Sequence, residues 1–255
     1  FTLDENNAAD GKTLLVDGRA IVDTAKTFAV NASDDTDGII TVQGSAGVDT
    51  LTGSGSDNGD TFYGNGGADN FVFAAANLTK LDTIDGGAGD DTVKIATGTT
   101  VDADFTNVSN IEALTFTGAT TATLAAEYSE SGSATVTLST GTNSLTMDKV
   151  TTDQTVVAVA GTDTIDASDM TNNLILKIAE DSVASTDTVT AGKGTSDKLL
   201  ITFDAGGGDA VDATDLGSFS GFEIIEAASN IAASLTTADA NTAATASLLI
   251  DMSKN

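Results

Sequence analysis

Residues 44–95 read GSAGVDTLTGSGSDNGDTFYGNGGADNFVFAAANLTKLDTIDGGAGDDTVKI. Three segments of this stretch, GSAGVDTLT from Gly44, GNGGADNFV from Gly64 and GGAGDDTVK from Gly86, fit one nonapeptide, G-G-x-G-x-D-x-U-x, where U is a large apolar residue. Asp49, Asp69 and Asp91 take the sixth place, with Leu51, Phe71 and Val93 two residues later. Asp60 with Phe62, and Asp82 with Ile84, supply the same D-x-U half in the turns between. Repetition at so short a period marks a chain that stacks one turn on the next, each burying a stripe against its neighbours.

The rest of the chain keeps this rhythm with fewer glycines. Residues 81–95 (LDTIDGGAGDDTVKI) and 103–116 (ADFTNVSNIEALTF) have counterparts in 186–201 (TDTVTAGKGTSDKLLI) and 213–227 (ATDLGSFSGFEIIEA). The two copies share D-T, a Gly-containing turn, a D-x-U strand and a closing [IF]-E-x-[LI]. Asp187 and Asp197 then correspond to Asp82 and Asp91, and GTDTIDAS at 161–168 adds Asp163 and Asp166. Between them lie short alternating runs bounded by Gly, Asn, Asp or Ser, such as ATVTLST, NSLTMDKV, QTVVAVAG and NLILKIA, which read as strands. TLLVDG, KTFAVNAS and GIITVQG do the same near the start. Only ATLAAEYSE (122–130) and TTADANTAATASLLIDM (236–252) carry a helical signal, and both also fit turns of a solenoid. The expected organisation is N-terminal solenoid turns over 1–43, Gly-Asp repeats over 44–95, and a degenerate solenoid over 96–255 with a second partial repeat at about 186–227.

Composition excludes much chemistry. The 255 residues include no His, Cys or Pro, which removes thiolate or imidazole zinc sites, Ser-His-Asp triads and disulfides. Arg19 and nine Lys stand against 38 acids, for a formal charge of −28, so nucleic-acid binding is not expected. No run of about 18 apolar residues is present to span a membrane. The chain opens on Phe1 rather than Met, as expected of a processed protein or an excised fragment. Charge of this size opposes compaction. Of the acids 31 are Asp and 7 are Glu, a bias toward the short carboxylate that fits tight loops around a hard cation.

These residues resemble the RTX (repeats-in-toxin) calcium-binding β-roll of bacterial proteins exported by type I secretion. The resemblance implies an all-β fold, a right-handed parallel β-roll or β-solenoid, with several Ca²⁺ held between stacked turns by backbone carbonyls and the Asp. Carried over by position, the carboxylates are Asp49, Asp69 and Asp91, with Asp60 and Asp82 on the opposite edge. Asp163, Asp166, Asp187 and Asp197 extend the set into the decayed repeats. Gly44, Gly47, Gly64, Gly67, Gly86 and Gly89 match the family's glycines, while Ser45 and Asn65 replace the second one. Glycine is expected in such loops for positive φ and inward-turned carbonyls. Same-edge Asp residues should recur at about 18 residues, two nonapeptides. Here the spacings are 20 and 22, so SGSDN (54–58) and AAANLTK (74–80) are expected to bulge outward.

Other readings are weaker. The acid groups Asp34/Asp35/Asp37, Asp102/Asp104 and Glu223/Glu226 invite a glycosidase or lyase reading, but one Arg, no His and two Tyr leave little to neutralise or stack on a sugar. No enzyme activity is expected. Thr-rich runs such as TGATTATL do not hold T-x-T at a fixed period, so ice or glycan binding is secondary. Low aromatic content and abundant Thr, Ala and Gly resemble Gram-negative S-layer subunits. The expected function is therefore a calcium-stabilised structural segment of a secreted bacterial cell-surface protein, self-associating through Ca²⁺ into a lattice, with cell-surface polysaccharide as a further candidate partner. The alternative is a stalk or ligand-binding module of a giant RTX adhesin. In either case the acidic repeats would stay unfolded at cytosolic calcium and fold outside the cell.

Overall fold

Alternation of buried and outward residues gives the strands. In Asn70–Phe73, Phe71 and Phe73 are buried while Asn70 and Val72 are half-buried; Thr92–Ile95 repeats this with Val93 and Ile95. A strand this short is stable only with a neighbour on each side, which the stacking supplies. The computed structural model describes the whole chain except residues 6, 56, 57, 204–209, 212, 213, 229–233, 236–248 and 252–255.

The chain divides into two units, Phe1–Thr117 with Glu127–Ser133, and Gly118–Ala126 with Ala134–Asn255. In the first, strands alternate between two parallel files. One runs Thr2–Asp4, Ala29–Asp34, Thr50–Thr52, Asn70–Phe73, Thr92–Ile95 and Ala113–Phe116. The other runs Thr13–Asp17, Ile39–Gln43, Thr61–Tyr63, Thr83–Asp85 and Val108–Ser109. In register, Val30, Leu51, Phe71, Val93 and Leu114 form one inward row, and Val42, Phe62, Ile84 and Val108 form the other. All nine are buried, each worth about 1.5–3 kcal/mol of hydrophobic stabilisation. Phe62 and Phe73 meet edge to face at 5.6 Å.

The second unit repeats the plan. One file is Thr135–Thr137, Gln154–Ala158, Leu174–Ala179, Lys198–Thr202, Ile224–Ala228 and Leu249–Asp251. The other is Thr120–Leu124, Thr142–Met147, Thr162–Asp166, Thr188–Thr190 and Phe219–Ser220. Val136, Val156, Leu176, Leu199 and Ile225 fill its first inward row. The fold is thus an all-β parallel solenoid, as expected.

Of the two helical signals, the first yields one short helix, Ala126–Glu130, with Asp102 accepting from the Glu127 and Tyr128 amides at its start. The second lies outside the described residues except for Leu249–Asp251, which is a strand. The expected outward bulge of AAANLTK is corrected: Ala75 and Leu78 are buried, because Leu78 is a large apolar side chain that water would penalise, while Ala74 and Ala76 stay exposed. In SGSDN, Ser54 is buried as well, and residues 56 and 57 lie outside the described set.

Candidate metal centre

The D-x-U spacing decides where the acids go. In a strand, residues two apart share a face, so an Asp two before a core residue points inward with it. Asp49, Asp60, Asp69, Asp82, Asp91, Asp163, Asp187 and Asp197 are all at most 2% exposed. A buried carboxylate needs donors or a cation.

The first need is met by a ladder. Phe28, Asp49, Asp69, Asp91 and Glu112 occupy one register row, immediately before the strands of the first file. Each backbone N–H donates to the carboxylate of the next turn: Phe28 to Asp49 (3.0 Å), Asp49 to Asp69 (2.7 Å), Asp69 to Asp91 (2.7 Å) and Asp91 to Glu112 (2.6 Å). On the other edge Ile40 donates to Asp60 and Asp60 to Asp82, both at 2.8 Å. In the second unit Asp163 donates to Asp187 (2.9 Å), Leu174 to Asp197 (2.7 Å) and Asp197 to Glu223 (2.8 Å). The matched pairs Asp82/Asp187 and Asp91/Asp197 therefore hold corresponding places in the two units, as the internal repeat predicts.

The ladder uses one oxygen of each Asp, and the second separates the sites. Asp49 Oδ2 accepts from the Ser45 amide at 2.5 Å, and the Ser45 hydroxyl donates to Oδ1 at 2.6 Å. Asp60 Oδ2 accepts from the Ser54 hydroxyl at 2.5 Å, Asp82 Oδ2 from the Thr79 amide at 2.7 Å, and Asp187 Oδ2 from the Ala184 amide at 3.0 Å. The Oδ2 atoms of Asp69, Asp91 and Asp197 are buried with no hydrogen-bond partner. The loops beneath Asp69 and Asp91 carry Gly64-Asn65 and Gly86-Gly87 where Ser45 stands beneath Asp49; no hydroxyl is there to donate.

Main-chain oxygens gather where those carboxylates point. A Cβ built on Gly64 would collide with Asp69 Oδ2 and the Gly86 carbonyl, and one on Gly86 would collide with the Asn110 carbonyl and lie 2.6 Å from Asp91 Oδ2. The same point at Gly44 lies 2.5 Å from Asp49 Oδ2, 2.5 Å from Gly64 O and 2.9 Å from Tyr63 O. These glycines are required by close approach. Positive φ is the separate property of Gly67 (112°) and Gly89 (146°), and Asn65 at 71° fills its position because Asn tolerates the left-handed region. Gly47 has neither a positive φ nor a carboxylate beside it; its Cβ would meet Lys26 O and Thr24 O.

Electrostatics follow burial. Burial pushes Asp69 up to about 7, against a hydrogen bond from the Asp49 amide and with help from the Asp49 and Asp91 charges. Burial likewise raises Asp91, assisted by Glu112, Asp90 and Asp85, and takes Asp197 to about 6, assisted by Glu223 and Asp153. Asp163 is raised to about 6 by burial, with its Asn143 hydrogen bond opposing. Asp60 is raised for the same reason, with the Ser54 hydroxyl opposing.

Among the described residues no three acids form a metal-sized group. A cation at Asp69 or Asp91 would therefore be held by one carboxylate oxygen per turn and by glycine-loop carbonyls. An all-oxygen set of this kind fits a hard ion such as Ca²⁺ and not a thiophilic metal. Asp166 stands apart: it is exposed and its Oδ1 accepts from the Ser168 amide at 3.0 Å. Sequence reasoning missed Glu112 and Glu223 as ladder members, although both sit at the E of the shared [IF]-E-x-[LI]. It missed Asn143, whose N-x-L is D-x-U with an amide in place of the acid, and buried Asp35, which accepts from Gly38 and Ala8 outside any D-x-U unit.

Compared with known proteins, the chain matches no family model, no curated protein and no solved structure.

Proposed function

We propose that this chain is a calcium-stabilised structural segment of a secreted bacterial cell-surface protein, an RTX-like solenoid whose Gly-Asp turns tighten on Ca²⁺, and that it serves as a lattice-forming S-layer subunit. The single observation that carries the calcium reading is the pair Asp69 and Asp91: fully buried acids, each with an oxygen lacking any donor, aimed among backbone carbonyls. Such an oxygen needs a proton or a cation, and at neutral pH in millimolar calcium the cation is favoured. Neutralisation by the ion then couples binding to folding by mass action. This gives export its logic, since the acidic repeats stay open at submicromolar calcium and close outside.

Chelated protein titrated with Ca²⁺ should gain β signal by circular dichroism at millimolar or lower concentration, and Mg²⁺ should give no gain. A spectrum and melting curve unchanged by chelation would overturn the calcium reading. The lattice is tested by electron microscopy with and without Ca²⁺. Ordered sheets on addition support an S-layer role, while particles that stay monomeric favour the stalk of an adhesin.

A further inference from the structure

Asn143 occupies the register row of Asp163 and Asp187 and is 1% exposed. Its Nδ2 group donates to Asp163 Oδ1 of the next turn at 2.7 Å, to the Ser139 carbonyl at 2.9 Å and to the Gly141 carbonyl at 3.2 Å. Its Oδ1 accepts from the Ser139 hydroxyl at 3.0 Å. The three atoms facing Nδ2 are two carbonyls and a carboxylate, all acceptors, so the amide can be seated only this way round. One side chain thus links two loop carbonyls of its own turn to the acid of the next. At Asp69 and Asp91 the Oδ2 oxygens have no donor of any kind.

We propose that Asn143 is a resident substitute for the cation. Its NH₂ group holds together the loop oxygens and Asp163 that a Ca²⁺ would otherwise join, so the turn formed by Thr142–Met147 and Thr162–Asp166 closes without metal. Resting on the calcium reading, this divides the turns into those that require the ion and those that carry their own donor. It also makes a single amide the determinant of metal dependence at that position: restoring the acid by Asn143→Asp creates a site for one divalent hard cation.

Hydrogen exchange on the 255-residue chain, with and without chelator, tests this. Peptides covering 142–147 and 162–166 should keep their protection in chelator, while those covering 70–73 and 92–95 lose it at least tenfold. Equal loss in both sets overturns the proposal. In parallel, bound Ca²⁺ is counted for the wild type and Asn143→Asp. The variant should bind one more ion and make the exchange of 142–147 chelator-sensitive. If the wild type binds calcium and the variant binds no more, Asn143 has no such role. If the wild type binds none and the variant binds one, the role of Asn143 stands and the proposed function falls. Should the variant fail to fold, the exchange contrast in the wild type decides.

Discussion

Two aspartates in the same ladder should respond oppositely to one substitution. Asp69→Asn keeps an oxygen for the Asp49 amide and turns an NH₂ toward the Gly86 carbonyl beside Oδ2. Chelated protein should gain about 1–2 kcal/mol in denaturant melts, the range of a newly satisfied buried group, and should bind one Ca²⁺ fewer. Asp60→Asn instead sets an NH₂ against the Ser54 amide and hydroxyl that already donate there, and should destabilise by about 1–3 kcal/mol with or without calcium. If both variants shift stability the same way, the distinction between donor-filled and donor-free acids is wrong. The ladder positions themselves were legible, because period two forces Asp and the following apolar residue onto one face. Which acids lack a donor was not: that depends on whether a Ser or Thr three to six residues earlier, such as Ser54 or Thr79, can reach back. Asn143 is not legible in the sequence, because it carries no charge and an amide at the D position looks like decay until its partners are seen.

In the Gly-Asp loop each glycine has its own reason. Gly64→Ala should cost about 1–3 kcal/mol, the usual range for overpacking, and remove calcium binding at Asp69, because the new methyl takes the space between Oδ2 and the Gly86 carbonyl. Gly66→Ala, two residues on, meets nothing closer than 3.8 Å and should leave melting temperature and calcium count unchanged. A tolerant Gly64→Ala would show that no acceptor cradle depends on this glycine. The strands on either side were readable from alternation alone. The inward fold of residues 74–80 was not, since AAANLTK reads as surplus residues between two D-x-U units and only packing shows that Ala75 and Leu78 join the core.

The chain as a whole carries −28, and four ion pairs are formed among the described residues, so most acids face no base. Acids raised on folding hold protons that the unfolded chain releases. With Asp69 near 7 and Asp163 and Asp197 near 6, against a usual value near 4, the metal-free fold loses stability as pH rises from about 4 to 7. Chelated protein should therefore melt higher at pH 5 than at pH 8, and saturating calcium should flatten or reverse that slope by displacing the protons. A chelated sample with equal melting points at the two values would contradict the buried acids. The ladder has one more consequence, because its bonds all run the same way. Every row amide finds its acceptor on the turn that comes later in the chain, so a stack cut short at its C-terminal end presents a bare N–H at its open edge. The next coil in sequence supplies the missing carboxylate, which gives the stack a polarity and lets each finished coil serve as the template for its successor.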